Sequence, residues 1–226
     1  MESEALQLQE KTYTRVREKQ EEKVIQYWDL TEDQQKAKRF FDLFITFLAL
    51  PFILPIGIIT AILIKLDSRG PVFFIQERVG RHGEPFNMFK FRSMTIDAEK
   101  NGNKFAQRND QRVTAIGKFI RKFRIDEIPN FWNVLKGEMS VIGPRPEQVS
   151  FVKFFDEEIE RYHFRHSVKP GITGLAQVNQ GYAACTRSTQ MKLNYDLFYI
   201  RHYSYGMEIN IVLKTMVTIL TGFGSR

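Results

Sequence analysis

Residues 43–64 read LFITFLALPFILPIGIITAILI, a stretch of 22 residues without a charge. An apolar run of 18 or more residues is long enough to cross the hydrocarbon core of a bilayer as a helix. A buried core helix of a soluble protein fits less well, given that length. Pro51 and Pro55 stand near the middle of the run. Each removes a backbone donor and crowds the preceding turn, so a sharp bend or break is expected there. Lys36, Lys38 and Arg39 precede the run, and Lys65 and Arg69 follow it. Cations on both sides give a spanning helix no preferred orientation. They suit a kinked helix that spans, and equally a helix that enters, breaks at the prolines and returns to the same face. The run begins at residue 43 and shows no small-residue cleavage pattern, which argues against a secretory signal peptide.

The formal charge of +7 is not spread evenly. Residues 65–125 hold 14 Lys/Arg against 6 Asp/Glu, whereas residues 1–39 hold 8 against 9. The positive stretch directly follows the apolar run. It calls for an anionic partner: phosphate, nucleic acid or an acidic membrane surface. No helix-turn-helix, zinc or RNA-recognition signature supports nucleic acid, and the apolar run argues against it. The single cysteine, Cys185, excludes an internal disulfide framework and a multi-cysteine metal centre.

Residues 1–37 form a polar extension rich in Glu, Gln and Lys. Residues 71–94 read as a β-hairpin, with the turn-rich RHGEP between PVFFIQERVG and FNMFKFRSM. Within 115–124, Ile116, Phe119, Ile120 and Phe123 recur at helical spacing, with Lys118, Arg121, Lys122 and Arg124 on the other sides. An apolar stripe opposite a cationic face suits an interfacial membrane helix. The same pattern also suits a surface helix packed on a core. Residues 208–223 are a further, mostly apolar helical stretch, too short to span.

Immediately after the basic helix comes RIDEIPNFWNVLKGEMSVIGPRPE. Asp126 and Glu127 are adjacent acids, and Pro129 suits the first turn of a new helix. Acids there are also favoured by the helix dipole, so the pair alone does not specify chemistry. Arg145 lies between Pro144 and Pro146. The prolines restrict the backbone, which suits a guanidinium held for bidentate phosphate binding. Pro170-Gly171-Ile172-Thr173-Gly174 reads as a rigid turn.

Taken in order, these segments resemble the monotopic phosphoglycosyl transferases, the bacterial sugar transferases that act on polyprenyl phosphate. The matching text is KRFFDLFITFLALPFILP, SRGPVFFIQERVGRHGEPFNMFKFRSM, IGKFIRKFRIDEIPNFWNVLKGEMSVIGPRPE, KPGITGLAQVN, NYDLFYI and GFGSR, covering residues 38–226. The resemblance implies an α+β, mostly helical fold. It would hold a small β-hairpin, a re-entrant membrane helix (38–66) broken at proline, and interfacial amphipathic helices. These would surround a cytosol-facing site in the catalytic region 67–226.

The implied reaction moves a sugar-1-phosphate from a UDP-sugar to undecaprenyl phosphate and releases UMP, the opening membrane step of exopolysaccharide, lipopolysaccharide O-antigen or glycoprotein glycan synthesis. The family's dyad maps onto Asp126, as nucleophile in a ping-pong mechanism through a covalent phosphosugar, and Glu127. Both acids are implied ligands of Mg²⁺. Arg145, Arg121, Lys90 and Arg92 are implied phosphate-binding residues, with Asp196, Gln177 and Asn179 in support. The implied location is the cytoplasmic face of the bacterial inner membrane, among phospholipids, with a homodimer left open. Many members continue Gln-Val-Asn with Gly-Arg. Here the chain reads QVNQGYAACTRSTQ, so the donor sugar does not carry over. A non-catalytic membrane scaffold of a glycan-assembly complex is the competing reading.

Overall fold

The apolar run folds as part of one long helix, α1 (Glu32–Asp67), in a computed structural model that describes residues 28–96, 110–180 and 186–221. Thr31 starts it: its hydroxyl accepts from the Gln34 amide while the Gln34 side chain accepts from the Thr31 amide, closing a capping box. By length and composition this helix suffices to cross a membrane.

The helix runs unbroken through Pro51 and Pro55, which corrects the expected break. The two prolines are four residues apart, so both missing hydrogen bonds lie on one side of the helix. Their distortions therefore act in one direction, and the turns on the other side stay intact. Both arms of α1 meet the same body. Arg39 donates to the Val134 and Leu135 carbonyls, and Asp42 accepts from the Ser140 hydroxyl and the Val141 amide. At the far end Ile64 packs with Phe91 and Ile120. Between Thr46 and Thr60 no residue is buried, and Phe47, Phe52 and Ile58 lie more than half exposed.

The expected hairpin is present. Strands β1 (Phe73–Val79) and β2 (Pro85–Phe91) pair antiparallel from Phe73↔Phe91 to Val79↔Pro85. They are joined by a short 3₁₀ turn in which His82 and Gly83 have positive φ. Helix α2 (Ala115–Lys122) confirms the period read at 115–124, with Thr114 capping it through the Gly117 amide. Its apolar stripe divides. Ile116 and Ile120 turn inward onto Phe91 and Ile64, whereas Phe119 stays exposed against Phe123. Half the stripe is thus core, as the surface-helix alternative held.

Then follow α3 (Asn130–Lys136), β3 (Ser140–Ile142), α4 (Val149–Glu158), β4 (Gly171–Thr173), α5 (Leu175–Asn179), α6 (Thr186–Arg201) and α7 (Tyr205–Thr221). The region read as a turn at 170–174 contains β4, which pairs in parallel with β3. The main core lies among these elements: Met88, Val134, Met139, Val141, Ile142, Tyr199, Ile200 and Ile211. The end of the polar extension joins it, since Leu30 is buried there and Trp28 stacks on Phe164 at 5.3 Å. A buried ion pair, Lys38 Nζ to Glu208 Oε1 at 2.7 Å, ties the start of α1 to α7. The stretch read at 208–223 is helical to Thr221, with Ile209, Leu213, Met216, Val217 and Leu220 exposed. Cys185 lies outside the described residues.

Candidate active site

The acid pair is placed by a reversal of the chain. After α2, Arg124 adopts a left-handed conformation (φ 56°), and a 3₁₀ turn, Ile125–Glu127, leads through Pro129 into α3. A bulky residue in that region is uncommon. Here it swings Asp126 and Glu127 away from the axis of α2. Strand β2 brings Lys90 alongside, and the segment after β3 brings Arg145. Glu127 Oε1 accepts from Arg145 Nη2 at 2.7 Å and lies 3.6 Å from Lys90 Nζ.

The two neighbouring carboxylates therefore have opposite surroundings. Burial alone would raise Glu127, but Arg145 and Lys90 outweigh it and hold the carboxyl well below the usual range. Asp126 makes no hydrogen bond or ion pair among the described residues. Burial, and then the charge of Glu127, push it up to about 6, while Lys90, Arg121 and Arg145 restrain it. Burial and the nearby Arg145 bring Lys90 down to about 8. One acid is thus fixed and fully ionised, and its neighbour is left unpaired in a cationic pocket. Such a carboxylate can act as a nucleophile toward a phosphorus atom brought there by the cations.

The remaining residues named from sequence divide. Arg121 is close enough for its charge to act on Asp126. Arg92 is not in the cluster. Its guanidinium donates to the Arg69 carbonyl and to the Ser68 carbonyl and hydroxyl, strapping β2 to the end of α1. Both of its Nη groups are engaged there, so the structure does not bring it to the dyad. Asp196 is buried against Arg165, at 2.8 and 3.1 Å, behind the site. Gln177 donates to the Ile172 carbonyl, and Asn179 donates to the Leu175 carbonyl and accepts from Lys214. None of these bonds reaches the dyad.

Sequence reading missed a second layer: Arg78, Glu147, Arg165 and Lys192. Burial would raise Glu147, but Lys192, Arg165 and Arg78 hold it down to about 2. Glu147 directly follows the Pro-Arg-Pro motif, and that adjacency was the one available signal. Among the described residues no group of three or more His, Cys, Asp or Glu comes together. The unpaired Asp126 beside Glu127 fits a cation held by one or two carboxylates and completed by ligand phosphates.

His166, also in this layer, gives a test of the packing. Burial, then the charge of Arg165, push its imidazole down to about 3. Between about 6.5 and 3 the unfolded chain binds a proton there that the native protein does not, so stability falls as pH falls through that window. We expect a loss of roughly 1 kcal/mol per pH unit. Glu147 adds a further loss only below about 4.5. His166→Gln should remove this loss, so that the variant gains stability relative to the wild type as pH falls from 6.5 to 4.5. An unchanged slope would mean that the imidazole is not held neutral.

Residues 33–222 match the bacterial sugar transferase family, and the chain belongs to it. It is 53% identical over 189 residues to a UDP-N-acetylgalactosamine-undecaprenyl-phosphate N-acetylgalactosaminephosphotransferase of Aeromonas hydrophila, covering 84% of this chain and 45% of the relative. It is 43% identical over 188 residues to a UDP-glucose:undecaprenyl-phosphate glucose-1-phosphate transferase of Klebsiella pneumoniae, covering 82% of this chain and 40% of the relative. The chain thus spans less than half the length of these two. A shorter relative, exopolysaccharide production protein PSS of Rhizobium leguminosarum bv. phaseoli, is 38% identical over 190 residues and is covered over 95% of its length.

Proposed function

We propose that this protein transfers a sugar-1-phosphate from a UDP-sugar to undecaprenyl phosphate in two displacements at Asp126. The observation that carries the reading is the contrast within the dyad: Glu127 is pinned by Arg145 and Lys90, and Asp126 has no partner among the described residues. In the first displacement an Asp126 carboxylate oxygen attacks the phosphorus that bears the sugar. The O–P bond forms, the bridging P–O bond breaks, and UMP leaves with the bridging oxygen. In the second, an oxygen of the lipid phosphate attacks the same phosphorus. The acyl phosphate breaks, the Asp126 carboxylate returns, and the lipid diphosphate sugar leaves.

Arg145 and Lys90 orient the diphosphate, and Arg121 meets the lipid phosphate. Asp126 and Glu127 are the residues that would hold Mg²⁺, which when bound neutralises charge on the diphosphate.

In the same reading, α1 dips into the cytoplasmic leaflet of the inner membrane and returns. Support comes from its two arms on one body, its exposed middle, the same-side prolines and the cations at both ends. In this reading the lipid phosphate lies beside a site open to the cytosol. The reaction would start an exopolysaccharide, O-antigen or glycoprotein glycan.

The test uses protein in detergent with Mg²⁺ and a panel of UDP-sugars headed by UDP-N-acetylgalactosamine and UDP-glucose. With undecaprenyl phosphate present, UMP should appear continuously with one or a few donors. Without it, one burst of about one UMP per protein should appear, the mark of a covalent intermediate. Turnover with no burst would reject the two-step route. No UMP from any donor would favour a non-catalytic scaffold.

A further inference from the structure

We infer that Lys192 and Glu147 are positioning residues for Arg145, setting where its guanidinium stands against Glu127; this rests on the function proposed above. Pro144, Arg145, Pro146 and Glu147 contain two prolines, so the segment has few amides with which to anchor itself. It is held by its carbonyls instead, each taken by a different donor. Pro144 O accepts from the Gly171 amide at 2.9 Å, Arg145 O from Arg165 Nη2 at 2.8 Å, Pro146 O from Arg78 Nη1 at 3.2 Å, and Glu147 O from the Val79 amide at 3.0 Å.

The Glu147 carboxylate closes the arrangement. It pairs with Lys192 of α6 and lies 3.8 Å from Arg78 of β1. Lys192 and Asp196 are one turn apart on α6, so they share a face. Asp196 reaches Arg145 O through Arg165, and Lys192 reaches Glu147 directly. A single helix face thereby grips the segment at residues 145 and 147. Buried ion pairs are an inefficient source of stability compared with apolar packing. Their concentration directly behind Arg145 is explained by the need to hold one guanidinium in one place, because small displacements of a substrate-orienting group are costly.

The experiment places Lys192→Met, Lys192→Arg and Glu147→Gln in the wild type, and Lys192→Met also in an Arg145→Lys background. Arg145→Lys keeps a cation beside Glu127 but loses the planar fork. Donor kcat/KM in the UMP assay should fall about 10- to 100-fold in Lys192→Met and Glu147→Gln, as for other supporting residues behind a site. Lys192→Arg should recover most of the loss. With Arg145→Lys already present, Lys192→Met should cost little more, because both changes act through the same group.

Amide exchange at Val79 and Gly171, whose N–H groups hold the Glu147 and Pro144 carbonyls, should quicken at least tenfold in Lys192→Met, while α7 keeps its protection. Losses that multiply across the two backgrounds would overturn the inference, as would a fully active Lys192→Met. Should Lys192→Met fail to fold, Glu147→Gln and Lys192→Arg carry the same comparison. Absence of UMP release by the wild type would reject the proposed reaction alone. The exchange experiment would still decide the positioning role, with unchanged protection at Val79 and Gly171 counting against it.

Discussion

Asp126→Asn should release no UMP above background with any donor, a fall in turnover of at least about three orders of magnitude, as when a covalent nucleophile is removed. The amide nearly matches the carboxylate in size, so the loss reports chemistry and not packing. Asp126→Glu should be almost as inactive. Its carboxylate is displaced by about one methylene, and a misplacement near 1 Å already costs about 100-fold. Asp126→Asn should also make the protein more stable. Asp126 ionises against burial and against the charge of Glu127, which is why it titrates near 6. Its ionised form therefore opposes folding above that pH. In EDTA at pH 7.5, Asp126→Asn should gain on the order of 1 kcal/mol over the wild type, and the gain should shrink as pH falls from about 6 toward 4. An inactive variant with lowered stability would point to a structural aspartate. An active one would remove the nucleophile assignment outright.

Gly171→Ala should be the most damaging substitution away from the dyad. A Cβ on Gly171 would stand 2.1 Å from the Gly143 nitrogen, 2.4 Å from the Thr173 carbonyl oxygen and 2.7 Å from the Gly143 Cα. All three are backbone atoms, so no side chain can rotate aside. The adjoining backbones carry the β3–β4 pairing and the bond from the Gly171 amide to Pro144 O. One methyl group must therefore push apart the parallel pair and shift the start of the segment bearing Arg145. Overpacking ordinarily costs 1–3 kcal/mol. With backbone on every side we expect about 3 kcal/mol or more, read as a large drop in unfolding temperature or in recovery of folded protein. Gly206→Ala is the control, since nothing lies within 4 Å of that position. Equal stability of the two variants would mean that the strands can separate at little cost.

What could be read from the sequence followed the range of the interaction. Apolar alternation and a Gly-containing turn marked the β1–β2 hairpin, and helical spacing marked α2, because both are local patterns. Asp126, Glu127, Lys90 and Arg145 were legible as parts of a motif series, and the fold does unite them around Glu127. The pairing of Lys192 with Glu147 was not legible, since 45 residues separate them and neither stands out locally. Arg92 misled for the opposite reason. It stands two residues from Lys90, where strand alternation would put both on one face, but β2 ends at Phe91 and the guanidinium of Arg92 goes to Ser68 and Arg69 instead. The stripe on α2 was read as one face. Only the approach of Ile64 and Phe91 decided which of its residues became core. Pro51 and Pro55 show the same limit, because four-residue spacing let the helix continue where each proline alone suggested an end.

The bond between Lys38 and Glu208 spans 170 residues, and that separation has a meaning in time. At 5–20 residues per second, synthesis of the intervening chain takes roughly 10 to 30 s. The first arm of α1 thus leaves the ribosome well before the carboxylate that neutralises its lysine exists. Through that interval Lys38 needs water or lipid headgroups as its partner, although Arg39 and Asp42 of the same arm have their partners at residues 134–141. Closure of this ion pair therefore waits for Glu208, well after the dyad has been made. A nascent chain arrested before residue 208 would carry a finished dyad sequence with Lys38 of α1 still without its carboxylate.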